Sequence, residues 1–111
     1  MNPRALLPEQ VADFRALIAR WVERLRVRPR QIRVQPMWRK WASCSTRGTV
    51  SFSVDLFAQP ETFREYVIVH ELLHLRIPNH GKLFQTLLRA HLPDYESIHP
   101  MIKKKVVRCY P

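Results

Sequence analysis

Apolar residues return at three- and four-residue steps early in the chain: Val11, Phe14, Leu17, Ile18, Trp21 and Leu25. A 3.6-residue period gathers these on one stripe, so the spacing predicts an amphipathic helix over 8–27 that packs on the sheet of its own domain. Pro8 suits its first turn and Pro29 stands just past its end. The period then falls to two. Ile32 and Val34 alternate with polar neighbours over 31–35, which reads as a strand stopped by Pro36. Residues 38–45 are a second strand candidate, and 49–54 a third, with Val50, Phe52 and Val54 on one face. Ser45-Thr46-Arg47-Gly48 between them is short and ends in glycine, a hairpin signature.

A second helix is expected from Pro60 to about Arg76. Pro60 fits a first helical position, and Glu61 complements the positive end of the helix dipole. Tyr66-Val67-Ile68-Val69 is apolar nearly all round, so this helix should be buried centrally. Pro78-Asn79 ends it. A third helix starts near His80 or Gly81, turns Leu83, Phe84, Leu87 and Leu88 inward, and stops before Pro93. Residues 94–111 are less regular and end in a basic stretch. The sequence shows no internal repeat, and its two glycines fall at a turn and an element boundary. Helix, three short strands, a buried helix and a closing helix make an α+β fold, expected as one domain over 1–111.

The buried helix carries the chemistry. It contains His70-Glu71-Leu72-Leu73-His74. Residues four apart lie one turn above each other on one helix face, so both imidazoles can point at a single ion. Glu71 is rotated beside that face, where it can take a proton from a water acidified by zinc without being a ligand. His80 follows six residues after His74, past the break at Pro78-Asn79, and can return to supply a third nitrogen. Together they show the H-x-x-x-H-x-x-x-x-x-H spacing of metzincins. Three protein ligands leave a position open for water, which is a catalytic arrangement. A histidine on a helix is usually an ordinary polar residue. Two of them with a glutamate on so apolar a helix, however, would be costly to bury without a purpose. A closed structural zinc site would need a fourth ligand, for which His91, His99 and Cys109 are weak candidates.

Composition changes this picture modestly. Nineteen Lys and Arg against nine Asp and Glu give a formal charge of +10, which favours anionic partners, nucleic acid among them. The basic residues are spread along the chain, from Arg15, Arg20, Arg24, Arg26, Arg28, Arg30, Arg33, Arg39 and Lys40 to Lys103, Lys104 and Lys105, which argues against one dedicated patch. Cys44 and Cys109 are too few for a disulfide framework, and Cys44 reads as a small buried residue of the second strand. No apolar run resembles a signal peptide or a membrane span, so a soluble cytoplasmic protein is expected.

Trp41-Ala42-Ser43-Cys44-Ser45, Gly48, the 49–54 strand, His70-Glu71-Leu72-Leu73-His74-Leu75, Asn79-His80-Gly81 and Phe84 resemble the YgjP-like metallopeptidase family. The His80-Gly81-x-x-Phe84 element is also similar to SprT-like proteins. The resemblance covers about 38–92. It implies a compact zincin-like fold with a small sheet beside the active-site helix, His70, His74 and His80 as zinc ligands, and Glu71 as catalyst. Ile77 stands where metzincins place a turn glycine, and no clear Met-turn follows, although Met101 is available; this argues against a true metzincin. An amphipathic helix and one strand replace the longer β-rich region that YgjP-like proteins usually carry before the W-x-S-C strand.

The expected reaction is hydrolysis of a peptide or protein substrate. In zincins an extended peptide commonly lies along an edge strand, and 49–54 is the expected edge. Tyr66, Tyr95, Arg89 and His99 are candidate oxyanion stabilisers, and Trp38 and Trp41 candidate substrate contacts, although aromatic residues in short strands usually pack a core. Two other readings are open. One is a metal-dependent hydrolase of an anionic small molecule such as a nucleotide, since zinc polarises phosphoryl oxygens too. The other is a SprT-like nucleic-acid-binding module whose zinc is structural or idle.

Overall fold

The structure, a computed structural model, describes residues 8–94. The expected apolar stripe forms helix α1 (Pro8–Leu25), which buries Phe14, Ile18, Trp21 and Leu25. Its end is closed by a Schellman-type cap. The Val27 N–H reaches the Val22 carbonyl and the Arg26 N–H the Glu23 carbonyl, while Arg26 itself turns left-handed at φ 55°. Glycine usually fills that position, because a Cβ there crowds the following carbonyl; an arginine costs on the order of 1 kcal/mol.

Three strands follow: β1 (Gln31–Gln35), β2 (Ala42–Cys44) and β3 (Thr49–Ser53). Their order is β1-β3-β2. β3 runs parallel to β1, pairing Val50 with Ile32 and Phe52 with Val34, and antiparallel to β2, pairing Val50 with Cys44. The 49–54 segment is therefore the central strand and not the edge that was expected; β1 and β2 are the edges. Its central place explains why Ser51 and Ser53 are buried along with Val50 and Phe52.

β2 is shorter than the 38–45 run because Arg39, left-handed at φ 62°, interrupts the extended chain. Trp38, before that break, is 85% exposed and packs no core, whereas Trp41, after it, is buried edge-on to Phe63 at 5.3 Å. In the β2–β3 hairpin the Gly48 N–H donates to the Ser45 carbonyl and the Ser45 N–H to the Thr49 carbonyl. Gly48 has φ 92°, the left-handed residue such a turn requires. Val54 leaves the strand and opens a short 3₁₀ turn, Val54–Ala58, capped by Ser53 Oγ, which accepts from the Asp55 N–H.

Helix α2 (Glu61–Leu73) is capped by Pro60, one position outside the first turn. From Tyr66 to Leu73 every residue is buried, as its apolar circumference requires. Beyond Leu73 the chain tightens: His74, Leu75 and Arg76 each bond three residues back, to Glu71, Leu72 and Leu73. Helix α3 (Lys82–His91) buries Phe84 and Leu88 fully. Leu83, expected to point inward, is 61% exposed, since it sits about 100° around the axis from Phe84.

The Phe14 ring of α1 meets Phe52 of β3 edge-on at 5.7 Å. Trp21 Nε1 donates to Glu65 of α2 at 2.9 Å, and its ring meets His91 of α3 edge-on. α1, α3 and β3 are thereby held to one core around α2. Among the described residues no helix is long and apolar enough to cross a membrane.

Candidate metal centre

Two imidazoles four residues apart share a face at the C-terminal end of α2, and the loop after it brings back a third. One nitrogen from each of His70, His74 and His80 lies within 4.8 Å of the others. Nε2 of His74 and Nε2 of His80 are 2.9 Å apart. Two nitrogens each about 2.0–2.1 Å from one tetrahedral ion sit about 3.3 Å apart, so a small opening of the pair would admit a metal. Among the described residues this is the group of His, Cys, Asp and Glu able to hold an ion. His91 packs on Trp21 and is not part of it. His99 and Cys109 lie outside the described residues.

The rings are oriented from behind. His74 Nδ1–H donates to the Ile77 carbonyl at 3.1 Å, which fixes the tautomer that presents Nε2 as the lone-pair donor. His70 Nδ1 and Glu71 Oε2 share a hydrogen bond at 3.0 Å, which leaves Nε2 as the nitrogen His70 can offer an ion. Phe84, fully buried on α3, lies against all three rings, with centroid distances of 5.1, 4.8 and 5.0 Å to His70, His74 and His80. The sequence ties Phe84 to His80 through the His80-Gly81-x-x-Phe84 element and to the core through its helix, and the structure shows that it forms the floor of all three rings. Tyr66 is buried with its ring 5.8 Å from that of His70. Arg89 is exposed on α3 and outside the cleft lining, while Tyr95 and His99 fall outside the described residues.

Burial sets the protonation of the centre. His70 is driven down to about 3, mainly by burial and secondarily by His80, and so is neutral and ligand-competent at physiological pH. Its bond to Glu71 is therefore a hydrogen bond with a neutral ring and not an ion pair. His74 is lowered too, by burial first and then by His70. Glu71, 3% exposed, is pushed up to about 7 by burial, against the opposing pull of His74, His80 and Lys40. A carboxyl poised there can both accept and return a proton near neutral pH.

Residues 4–105 match the YgjP-like metallopeptidase domain. The chain belongs to that family. Its fold is similar to the crystal structure of the metallopeptidase zymogen of Methanocaldococcus jannaschii jannalysin, with a TM-score of 0.72 and 26% identity over 84% of this chain and 96% of that one. No curated protein sequence matches this one. The match extends well beyond 38–92 and includes the N-terminal helix and β1. Family and fold together make this YgjP-like chain a metallopeptidase domain.

The cluster opens on a cleft of about 820 Å³, lined by Glu71, His74 and His80 and by β2 through Ser43 and Cys44. The sheet edge beside the histidines is thus β2. Cys44 packs against the core but is only half-buried at this cleft, short of the full burial expected; burial, then Glu71, pushes its thiol up. The lining also holds Arg26, Arg28, Lys40, Arg47 and Arg76. These residues are scattered in sequence, but the fold gathers them, which spacing along the chain argued against.

Proposed function

We propose that this YgjP-like domain is a zinc peptidase, acting as a single domain, in which His70, His74 and His80 hold the ion and Glu71 is the general base. The observation that carries the reading is the convergence of three ring nitrogens within 4.8 Å beside a buried carboxyl that lines the same cleft. The donor set is all nitrogen and three in number, which suits zinc with an open position. A zinc ion bound there supplies Lewis acidity, acidifying water and polarising the scissile carbonyl. Glu71 takes a proton from the attacking water and delivers it to the departing amine nitrogen. The substrate backbone lies along the β2 edge, beside Ser43 and Cys44, where strand addition would bring the scissile bond to the histidines.

The test pairs metal content with turnover. Wild-type protein should hold one equivalent of zinc and cleave an unstructured protein such as casein. Glu71→Gln should keep the zinc and lose at least ~100-fold in turnover, the scale of a lost general base. His80→Ala should lose most of the metal. Full activity in Glu71→Gln, or undiminished zinc in His80→Ala, would remove the assignment.

A further inference from the structure

The cleft beside the histidines carries a charge arrangement that holding a metal and activating water do not require. Five cationic residues from four separate parts of the fold are in its lining. Arg26 and Arg28 follow the end of α1, Lys40 is on the approach to β2, Arg47 in the β2–β3 turn, and Arg76 in the turn after α2, where its Nη1 donates to the Leu25 carbonyl and so braces the end of α1. The one carboxylate in the lining is Glu71, which is buried. Like charges round one concavity focus a positive potential into it, which draws anions to the cleft.

Backbone conformation adds an independent observation. Arg26 occupies the left-handed position of the α1 cap, and Arg39, next to Lys40, is left-handed as well. Glycine would relieve the crowding at either. Arg26 thus combines a strained backbone with a place in the cleft lining, the combination expected where a side chain has a task that glycine could not perform. Lys40 lines the same cleft as Glu71, His74 and His80, so the cationic lining shares one concavity with the reacting groups.

We infer that the cleft selects peptides with acidic side chains near the scissile bond, through carboxylate contacts to Arg26, Arg28, Lys40 and Arg47. The inference rests on the peptidase reading above and adds a substrate class to it. Arginine suits the task because its planar fork binds carboxylate with two parallel hydrogen bonds. A nucleotide could also meet this charge. The edge of β2 in the lining, able to pair with an extended backbone, favours a peptide.

The experiment uses zinc-loaded full chain and three fluorogenic peptides that differ only in having Glu, Gln or Lys on both sides of one scissile bond. The Glu peptide should exceed the Gln peptide in kcat/KM by about 5- to 10-fold at low salt, with the Lys peptide lowest and the spread narrowing at high ionic strength. Arg26→Gly should bring the Glu-to-Gln ratio towards one while raising Tm by roughly 4 °C, because the cap strain is relieved. That opposite movement of stability and selectivity separates a recognition role from mere loss of fold; Arg47→Gln gives the same ratio change without touching the cap. Equal kcat/KM for all three peptides overturns the inference and leaves the peptidase reading standing. Should no peptide be cleaved, the peptidase reading fails, and anisotropy of the same labelled peptides on zinc-loaded Glu71→Gln protein decides this point alone: tighter binding of the Glu peptide supports it and equal binding overturns it. Turnover of ATP in preference to every peptide also overturns it, since the rim would then serve phosphate.

Discussion

At the scale of single residues, the centre is a set of groups whose charges burial has rearranged, and that has a measurable cost. In metal-free protein His70 titrates near 3 against 6.5 when unfolded, so protons favour the unfolded chain between those values and stability falls as pH drops through that window. His74 acts in the same direction. Glu71 is shifted the other way, from 4.5 to about 7, so the folded state binds its proton more readily and stability falls as pH rises through that window. The windows overlap from 4.5 to 6.5, where the contributions oppose. Urea midpoints of EDTA-treated protein should therefore change little between pH 5 and 6.5 and drop steeply below 4.5, where the histidines act alone. A midpoint that keeps rising as pH falls below 4.5 would contradict this. Phe84 gives a second test at this scale. It is fully buried against all three imidazoles, so Phe84→Ala should cost about 3–5 kcal/mol in a denaturant melt. By loosening the rings it should also weaken zinc affinity by about 10- to 100-fold, as losses behind the ligands do. Phe84→Leu should keep more of both.

Elements are where the sequence was most and least legible, and the two glycines show why. Gly48 sits at φ 92°, and an added Cβ would come within 3.3 Å of the Arg30 backbone nitrogen and Cβ. Gly48→Ala should cost about 1–3 kcal/mol through both strain and crowding. Gly81, the cap of α3, has nothing within 4 Å of the added carbon and an ordinary φ, so Gly81→Ala should fall within about 0.5 kcal/mol of wild type. Paired thermal melts distinguish the positions. The hairpin turn, the α1 stripe and the i, i+4 histidines were readable because each is a local relation between neighbours in the chain. Strand order was not. β1 pairs with β3 in parallel across an intervening hairpin, a relation that no alternation within 31–35 or 49–53 encodes, and so the edge was assigned to the wrong strand. The shortening of β2 was hidden for another reason: the left-handed turn at Arg39 uses an arginine where composition offers no glycine or asparagine as a marker. Leu83 is misplaced by the sequence because Leu83, Phe84, Leu87 and Leu88 span more than one face, which leaves the inward arc of α3 ambiguous until Phe84 finds the histidines.

Over the whole molecule, the metal would do more than chemistry. His70 belongs to α2 and His74 caps its C-terminal end, His80 lies in the segment leading into α3, and Phe84 behind them is in α3 itself. An ion shared by the three rings ties the central helix to the connection that positions the closing helix, in a chain of 111 residues whose core is modest. Binding to the folded state alone stabilises by about 4 kcal/mol when zinc exceeds its dissociation constant by about 1,000-fold. At roughly 4–8 °C per kcal/mol for a domain near this size, Tm should rise by about 15–30 °C between EDTA-treated and zinc-loaded protein. His80 is exposed, so its side chain adds little packing to the metal-free fold. Consequently His80→Ala should melt within a few degrees of wild type in EDTA yet lose most of the zinc-dependent rise. A scanning-calorimetry series on both proteins, with zinc added stepwise after EDTA removal, makes the comparison directly. If wild type and mutant gained equally from zinc, the ion would be binding elsewhere and the three-histidine centre would not be its site. If His80→Ala were already unfolded in EDTA, the loop holding His80 would be a structural strut in its own right, and the coupling between metal and fold argued from its exposure would be wrong.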